Sequence, residues 1–371
     1  MAEAKYKQIL DGLKKQILGA AFGPENPFPS ESAFARANGI TRSTAHRVFL
    51  ELVRLGLIRV HTGRVPEVVA RKERSGKIGL IVPGLAYSEF FPPIVSEISR
   101  LAQARGYSLI VCDVASKRPQ QRVARAKRSA EELVRQSVAG VIYQPLELVD
   151  DAPRHNQDVV SIFDRAGVPV VLLDFDIVPP PERSAYDVVG INNMDAGYRL
   201  ALHLLSVGAK RIHFVMSPNW GAAIRNRLRG VMTAVNRVGR FDERRQVFAS
   251  RPDDVAALRR HLRRGRPDAF VCGNDDDAAV FKQTLAKVGL RVPDDVLLAG
   301  FDDVRLASLL TPPLTSVHQP CAEIAVGAFR RLLARIAIPN LPPTEQFFNA
   351  PLVVRESTCP PPAKRMKGKG K

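Results

Sequence analysis

Asp174, Asn274 and Asp302 each stand just after a short apolar run: Val170 to Leu173, Ala269 to Cys272 and Val296 to Ala299. Strand ends of open α/β sheets point into a ligand crevice, so these three converge as candidate ligand contacts. Carboxylates and an amide exchange hydrogen bonds with hydroxyls. Arg227, within Ile224-Arg225-Asn226-Arg227-Leu228-Arg229-Gly230, adds a guanidinium able to give two parallel bonds to adjacent hydroxyls or to a carboxylate. Phe90, Phe91 and the single tryptophan, Trp220, offer apolar faces on which the C–H side of a sugar ring can pack. Asp275 and Asp303 stand beside these residues, but Asp is common at helix starts, and capping is the expectation for both. The chemistry implied is binding of a small polyhydroxylated molecule, with a non-sugar metabolite such as a purine as the alternative.

Bond-making chemistry finds no support. The chain has no G-x-x-x-x-G-K-[ST] loop, no G-x-G-x-x-G after a strand, no G-x-S-x-G elbow and no H-E-x-x-H helix. Its seven histidines (46, 61, 155, 203, 213, 261 and 318) are scattered, and its four cysteines never stand at metal-ligand spacing. Asp174 and Asp176 could imitate a paired-carboxylate site, but no second acid motif sets the separation that glycoside hydrolysis needs. A sugar-processing enzyme is therefore the weaker reading. No catalytic residue, metal or cofactor is expected.

A second set of polar residues has a different setting. Thr41 is an expected N-cap, and the helix it opens buries Ala45, Val48, Phe49 and Leu52 at i, i+3, i+4 and i+7. Arg42, Ser43, Thr44, His46 and Arg47 fall largely off that stripe, toward the N-terminal end. A short helix over Ser32 to Ala37 precedes it, joined by the turn Asn38-Gly39-Ile40. Ile58 to Val60 and Val65 to Val69 then flank His61-Thr62-Gly63-Arg64 as a hairpin. Helix, turn, helix and hairpin make a winged helix-turn-helix, which offers the start of its second helix to the DNA major groove. Ser32, Thr41 to Thr44, His46, Arg47, His61, Gly63 and Arg64 are the candidate DNA contacts.

The elements that must carry both sets follow from the pattern. Apolar runs of four to six residues alternate with helical stretches from Lys77 onward, which implies parallel sheets with helices on both faces. Two sheets of about five or six strands fit better than one. The change of sheet is expected near Asp174 to Tyr186, where Val178-Pro179-Pro180-Pro181 interrupts the alternation. The expected domains are a DNA-binding head over 1–70, a linker over 71–76, a two-lobed body over 77–358 and a basic, disordered tail over 359–371.

Net charge is +18. The first 76 residues hold 13 Lys+Arg against 7 Asp+Glu, and the last 13 hold 5 against none. Basicity concentrated at the two ends points to a polyanionic partner, double-stranded DNA first. Few cysteines in a long chain suggest a reducing compartment. With no signal-like start and no apolar run near about 18 residues, the expected location is the cytoplasm, away from any membrane.

Two families are resembled. Pro29-Ser30-Glu31, Ala35, Gly39 to Thr44, Glu51-Leu52 and Leu55-Gly56-Leu57-Ile58 resemble the head of GntR-family regulators, over about the first 70 residues. That resemblance implies base or phosphate contacts by Arg42 and its neighbours and a wing tip in the minor groove. Ser32 and His46 stand where many members carry arginine. Val170 to Asp174, Asn193 to Gly197, Arg227 to Gly230, Asn274-Asp275, Gly300 to Asp303 and Pro312 to Gln319 resemble the LacI/GalR regulators and their periplasmic sugar-binding relatives, over about Lys77 to Arg355. That resemblance implies sugar binding by Asp174, Arg227, Asn274 and Asp302, with Gln319 at a hinge. Together they look like a regulator of the arabinose-repressor type: a dimeric, sugar-responsive repressor of carbohydrate-utilisation genes.

Overall fold

The structure, a computed structural model, describes residues 2–18, 21–23, 26–61, 65–69, 76–85, 89–217 and 221–359. Trp220, Gly63, Arg64, most of the expected linker and almost all of the expected tail lie outside these.

The chain opens with α1 (Ala2–Leu18), α2 (Glu31–Ala37) and α3 (Arg42–Arg54), followed by the antiparallel pair β1 (Ile58–Arg59) and β2 (Glu67–Val68). Ser30 caps α2 and Thr41 caps α3, each through its side-chain oxygen. Gly39 and Gly56 take φ of +58° and +70° in the turns that end these helices, a region open to glycine at no steric cost. Ala45, Val48, Phe49 and Leu52 are all buried, against Leu10, Leu13 and Ile17 of α1. Ile338 and Leu341, from far along the chain, pack against this same cluster.

The body then runs β3 (Lys77–Val82), α4 (Phe91–Gln103), β4 (Ser108–Asp113), α5 (Pro119–Arg135), β5 (Gly140–Tyr143), α6 (Ala152–Arg165), β6 (Val170–Leu173) and β7 (Asp187–Ile191). Next come α7 (Asn193–Ser206), β8 (Ile212–Val215), α8 (Ala222–Val235), α9 (Glu243–Gln246), β9 (Val247–Phe248), α10 (Val255–Leu262), β10 (Ala269–Cys272), α11 (Asp275–Lys287) and β11 (Leu297–Asp302). Beyond the last expected strand lie α12 (Arg305–Leu309), β12 (Thr315–His318), α13 (Cys321–Ala337), β13 (Glu345–Phe348) and β14 (Leu352–Val353).

The strands form two six-stranded sheets, ordered β13-β7-β6-β5-β3-β4 and β14-β12-β11-β10-β8-β9. All pairings within them are parallel except β12 with β14. Helices cover both faces: Ile78, Leu80 and Val82 of β3 pack toward α4 and α13, while Ile81 packs toward α5 and α6. That alternation is the period-two geometry of a strand buried on both sides.

The change of sheet does not fall at Asp174 to Tyr186. β7 pairs in parallel with β6 and stays in the first sheet. The proline-containing segment is a crossover without a helix, and the missing helix imitates a domain break in the sequence. The chain passes to the second sheet between β7 and α7, returns between β12 and α13, and passes again between β13 and β14.

Candidate functional site

Between the two sheets lies a cavity of about 430 Å³, and Phe90, Phe91, Asp174, Arg227, Asn274, Asp302 and Gln319 all line it. Apart from Phe90 and Phe91, which share the start of α4, each arrives from a separate element. Asp174 follows β6 directly, and Asp302 is the last residue of β11. Both hold positive φ, +72° and +103°. Such backbone costs about 1–3 kcal/mol per residue and clusters at ligand clamps. Gly190 of β7 backs onto the Asp174 main chain, where a Cβ would come within 2.8 Å. Phe90 and Phe91 open α4, with ring centroids 5.0 Å apart at 65°.

One chain of hydrogen bonds threads the cavity wall. Asn193 Nδ2 donates to Asp174 Oδ1 at 3.2 Å, and Arg227 Nε donates to Asn193 Oδ1 at 2.8 Å. Arg227 Nη1 donates to Gly273 O at 2.7 Å and to Asp302 Oδ1 at 3.2 Å. Gln319 Nε2 completes the run, donating to Asp302 Oδ1 at 2.7 Å. The Arg227 guanidinium, 3% exposed, also lies 4.6 Å from the centroid of the Phe301 ring. The network begins on the first sheet, passes through the crossing at Asn193 and ends at the crossing after β12.

Arg227 owes its position to the pairing of α7 with α8. A Cβ at Gly197 would overlap the Arg227 carbonyl, and one at Gly230 would overlap the Met194 carbonyl. Only two bare backbones permit this approach, which is the physical content of the glycines in both motifs.

Asn274 departs from expectation. It lines the cavity, but its Oδ1 caps α11, accepting from Asp277 N at 2.7 Å. Asp275, expected as the cap, is instead buried in the structure behind: its carboxylate accepts from Ser316 Oγ at 2.8 Å and from Val304 N at 3.2 Å. Asp303 likewise serves structure rather than capping, between His318 and Arg355.

Several cavity residues escaped the sequence reading. Gln144, Glu147, Asp276, Asp277 and Arg122 line the cavity outside the motifs read as a site, although Gln144 follows β5 directly, and Asn193 bridges Asp174 to Arg227 without joining the lining. The Asp275-Asp276-Asp277 run was the available signal for two of them. The Glu147 carboxyl, from the loop after β5, lies against Gly221 at the start of α8, so it touches the opposite lobe. Burial and the nearby Asp174 push Glu147 up to about 8. Burial likewise pushes Asp276 up to about 6 and Asp277 up to about 7, with the neighbouring carboxylates adding to the rise. Burial also raises Asp174, and Arg227 opposes it.

A larger and more open groove of about 920 Å³ runs beside β9 and α10, with Arg240, Arg244, Arg260 and Arg264 in its lining. None of the strand-end residues reaches it.

In the first three helices, Ser32, Arg42, Ser43, His46 and Arg47 are exposed, as is His61 after β1. Thr41 Oγ1 lies 2.9 Å from both Ser43 Oγ and Thr44 Oγ1. His46 Nδ1 pairs with Glu31 at 3.0 Å, and the Arg47 guanidinium sits 4.5 Å from the Tyr6 ring centroid.

Fold and cavity define a two-lobed α/β ligand-binding body. Residues 201–358 match the periplasmic binding protein-like domain. The ribose operon repressor of Escherichia coli K12 is 28% identical over 285 residues, covering 74% of this chain and 81% of that protein. The arabinose metabolism transcriptional repressor of Geobacillus stearothermophilus is 25% identical over 369 residues, covering 95% and 97%. A solved complex of the transcriptional regulator CelR with cellobiose is 25% identical, covering 89% of this chain and 99% of that one at a TM-score of 0.65. The chain is thus a relative of LacI-type transcriptional regulators with a periplasmic-binding-protein-like effector domain, and the ribose and arabinose relatives are repressors, not enzymes.

Proposed function

We propose that this chain is a repressor whose grip on operator DNA is set by a sugar held between the two lobes. The observation that carries the reading is the hydrogen-bonded run Asp174–Asn193–Arg227–Asp302–Gln319, four of whose members line a cavity between two sheets while Asn193 bridges two of them, and which spans two of the crossings that join the sheets. A ligand bound by both walls favours the arrangement in which they lie close. It shifts the protein only by its difference in affinity between arrangements. Couplings of this kind are about 1–3 kcal/mol, or roughly 5- to 150-fold in operator affinity. The sugar effector is supported by the cellobiose complex of CelR and by the names of the arabinose and ribose repressors.

The head over 1–70 is a winged helix-turn-helix of GntR type, with 71–76 as linker, 77–358 as body and 359–371 as a basic tail. Three observations support the head: the capped pair α2 and α3, the antiparallel β1–β2 ribbon, and the exposed cluster at the start of α3. The similarity to the arabinose metabolism repressor extends over 95% of the chain and so takes in the head, whereas that to the ribose repressor covers 74%. Arg42, Ser43 and Arg47 meet bases or phosphates, and two heads of a homodimer read paired half-sites about 34–36 Å apart or a multiple of that. A DNA partner implies the cytoplasm, and no helix among the described residues is long and apolar enough to cross a membrane.

α13 offers a route between the sites. It begins beside Gln319 at the cavity, and the segment after it places Ile338 and Leu341 against the head's apolar cluster.

The test is operator binding by the full chain, measured by fluorescence anisotropy at fixed salt, with and without sugars selected by thermal shift. A ligand that stabilises the fold by mass action and changes operator affinity severalfold is the expected result. Stabilising ligands that leave operator affinity unchanged would remove the regulatory reading.

A further inference from the structure

The cavity presents more hydrogen-bond acceptors than its own donors serve. Its lining carries five carboxylates, Glu147, Asp174, Asp276, Asp277 and Asp302, against three cations, Lys117, Arg122 and Arg227. Arg227 donates to Asn193, Gly273 and Asp302 within the wall. Arg122 gives its terminal nitrogens to the carbonyls of Glu147 and Ser116, and Lys117 is exposed. Around the lining, Arg225 faces Glu147, and Glu89 adds a further acid toward Asp276.

Two glutamines, each 3% exposed, sharpen the imbalance. Gln319 Nε2 donates to Asp302, and the Gln144 side chain hydrogen-bonds Asp174. An amide that meets a carboxylate must offer its NH₂, which leaves its carbonyl oxygen for another donor. Among the described residues, Oε1 of both glutamines and Oδ2 of Asp277 are buried with no partner, against one such donor in the lining, Arg122 Nε. Buried acceptors and uncompensated carboxylates are costly, and hydroxyl donors answer only the first. A neutral sugar would fill the oxygens and leave the crowded carboxyls still holding protons, where a cation can take the protons' place.

Taking the cavity as the effector site, we infer that its effector is a hydroxylated amine carrying a positive charge, of the amino-sugar class. The ammonium lies against Asp276 and Asp277, and hydroxyls donate to Gln144 Oε1 and Gln319 Oε1. The elevated carboxyls are consistent with this: an entering cation pulls them down and drives protons off.

The experiment is calorimetric titration of the full chain near neutral pH with glucosamine, galactosamine and mannosamine. Each is paired with its parent hexose and its N-acetyl derivative, which keeps the ring and removes the charge. Runs in two buffers of different ionisation heat report protons released. At least one amine is expected to bind about tenfold or more tightly than both neutral partners, a difference of about 1.4 kcal/mol, with proton release. Asp277→Asn, near-isosteric, is expected to narrow that ratio, and Asp277→Glu to retain it. Neutral partners binding as tightly as the amines, no amine binding at all, or a ratio untouched by Asp277→Asn overturns the inference. The functional reading fails separately, when a bound ligand of any charge binds Arg227→Ala as it binds the native chain.

Discussion

The start of α3 and the cavity between the sheets both gather polar side chains, and they hold them by opposite means. On α3 the bonds lie at the surface: Thr41 reaches Ser43 and Thr44, His46 reaches Glu31 of α2, and Arg42 stands in solvent. In the cavity Arg227 bonds partners 34, 46 and 75 residues away, and it is 3% exposed. A surface that meets a polyanion works by placing charge where the partner can reach it and release counterions, so its side chains can stay mobile. A cavity that must tell one small molecule from another needs donors and acceptors fixed before the ligand arrives. Removing a group therefore costs affinity alone in the first region, and affinity together with stability in the second.

Arg227→Ala tests that contrast with the largest effect. It strips the guanidinium from Asn193 Oδ1 and Gly273 O and leaves Asp302 Oδ1 with Gln319 Nε2 alone, and each buried group left unpaired costs about 1–3 kcal/mol. Ligand binding and the ligand-dependent shift in operator affinity are both expected to be lost, with a lower Tm. Calorimetry and thermal unfolding on one preparation check this, and a native Tm would dissolve the contrast. Next is Gly230→Ala, which forces α7 and α8 apart at about 1–3 kcal/mol of overpacking and displaces Arg227. The same change at Gly12 of α1, where an added Cβ meets nothing within 4 Å, is expected instead to stabilise by about 0.5–1 kcal/mol. Denaturant unfolding of both variants reads the two signs.

On the head side, Arg42→Ala is expected to weaken operator binding by about 1–3 kcal/mol and to relax preference at one base position, leaving Tm unchanged. Gel-shift titration against single-base operator variants measures both. A fall in Tm would show that the head, too, uses buried cross-links.

The smallest effect is on pH dependence. Burial raises Glu147 and Asp275 to about 8 and Asp277 to about 7, well above the ordinary carboxyl range. The folded chain holds these protons more tightly than the unfolded one. Their contribution is thus full below the unfolded pKa and is lost as pH rises through about 7 to 8. His213, lowered to about 4 from 6.5 by burial and by His261, acts at the other end, and its contribution is lost as pH falls through that window. Thermal unfolding without ligand should show the body losing stability toward pH of about 8, and Asp277→Asn should flatten that loss. Equal slopes in the two proteins would remove Asp277 from the explanation.

What was legible in the sequence was what depends on neighbours in the chain. Thr41 as a cap, the buried stripe of α3, and strands of four to six apolar residues all follow from periodicities of a few residues. Asp174 and Asp302 were legible because a strand end aims its next side chain at one rim of the sheet. The missed sheet crossing has the same origin: without a helix, the segment between Leu173 and Asp187 carries no periodic signal of its parallel pairing.

Tertiary structure alone decided the rest. It gave the capping role to Asn274 and the buried brace to Asp275, although the two are adjacent and alike in propensity. It brought Glu147 to the cavity from a loop whose local sequence has no binding pattern and made Asn193 the bridge from Asp174 to Arg227, whereas Gln144, directly after β5, shares the strand-end position of Asp174. Local propensity is a property of a few consecutive residues. The charge balance of a cavity, and which of its oxygens are left without a donor, is a sum over groups tens of residues apart, defined only when the chain has closed around them.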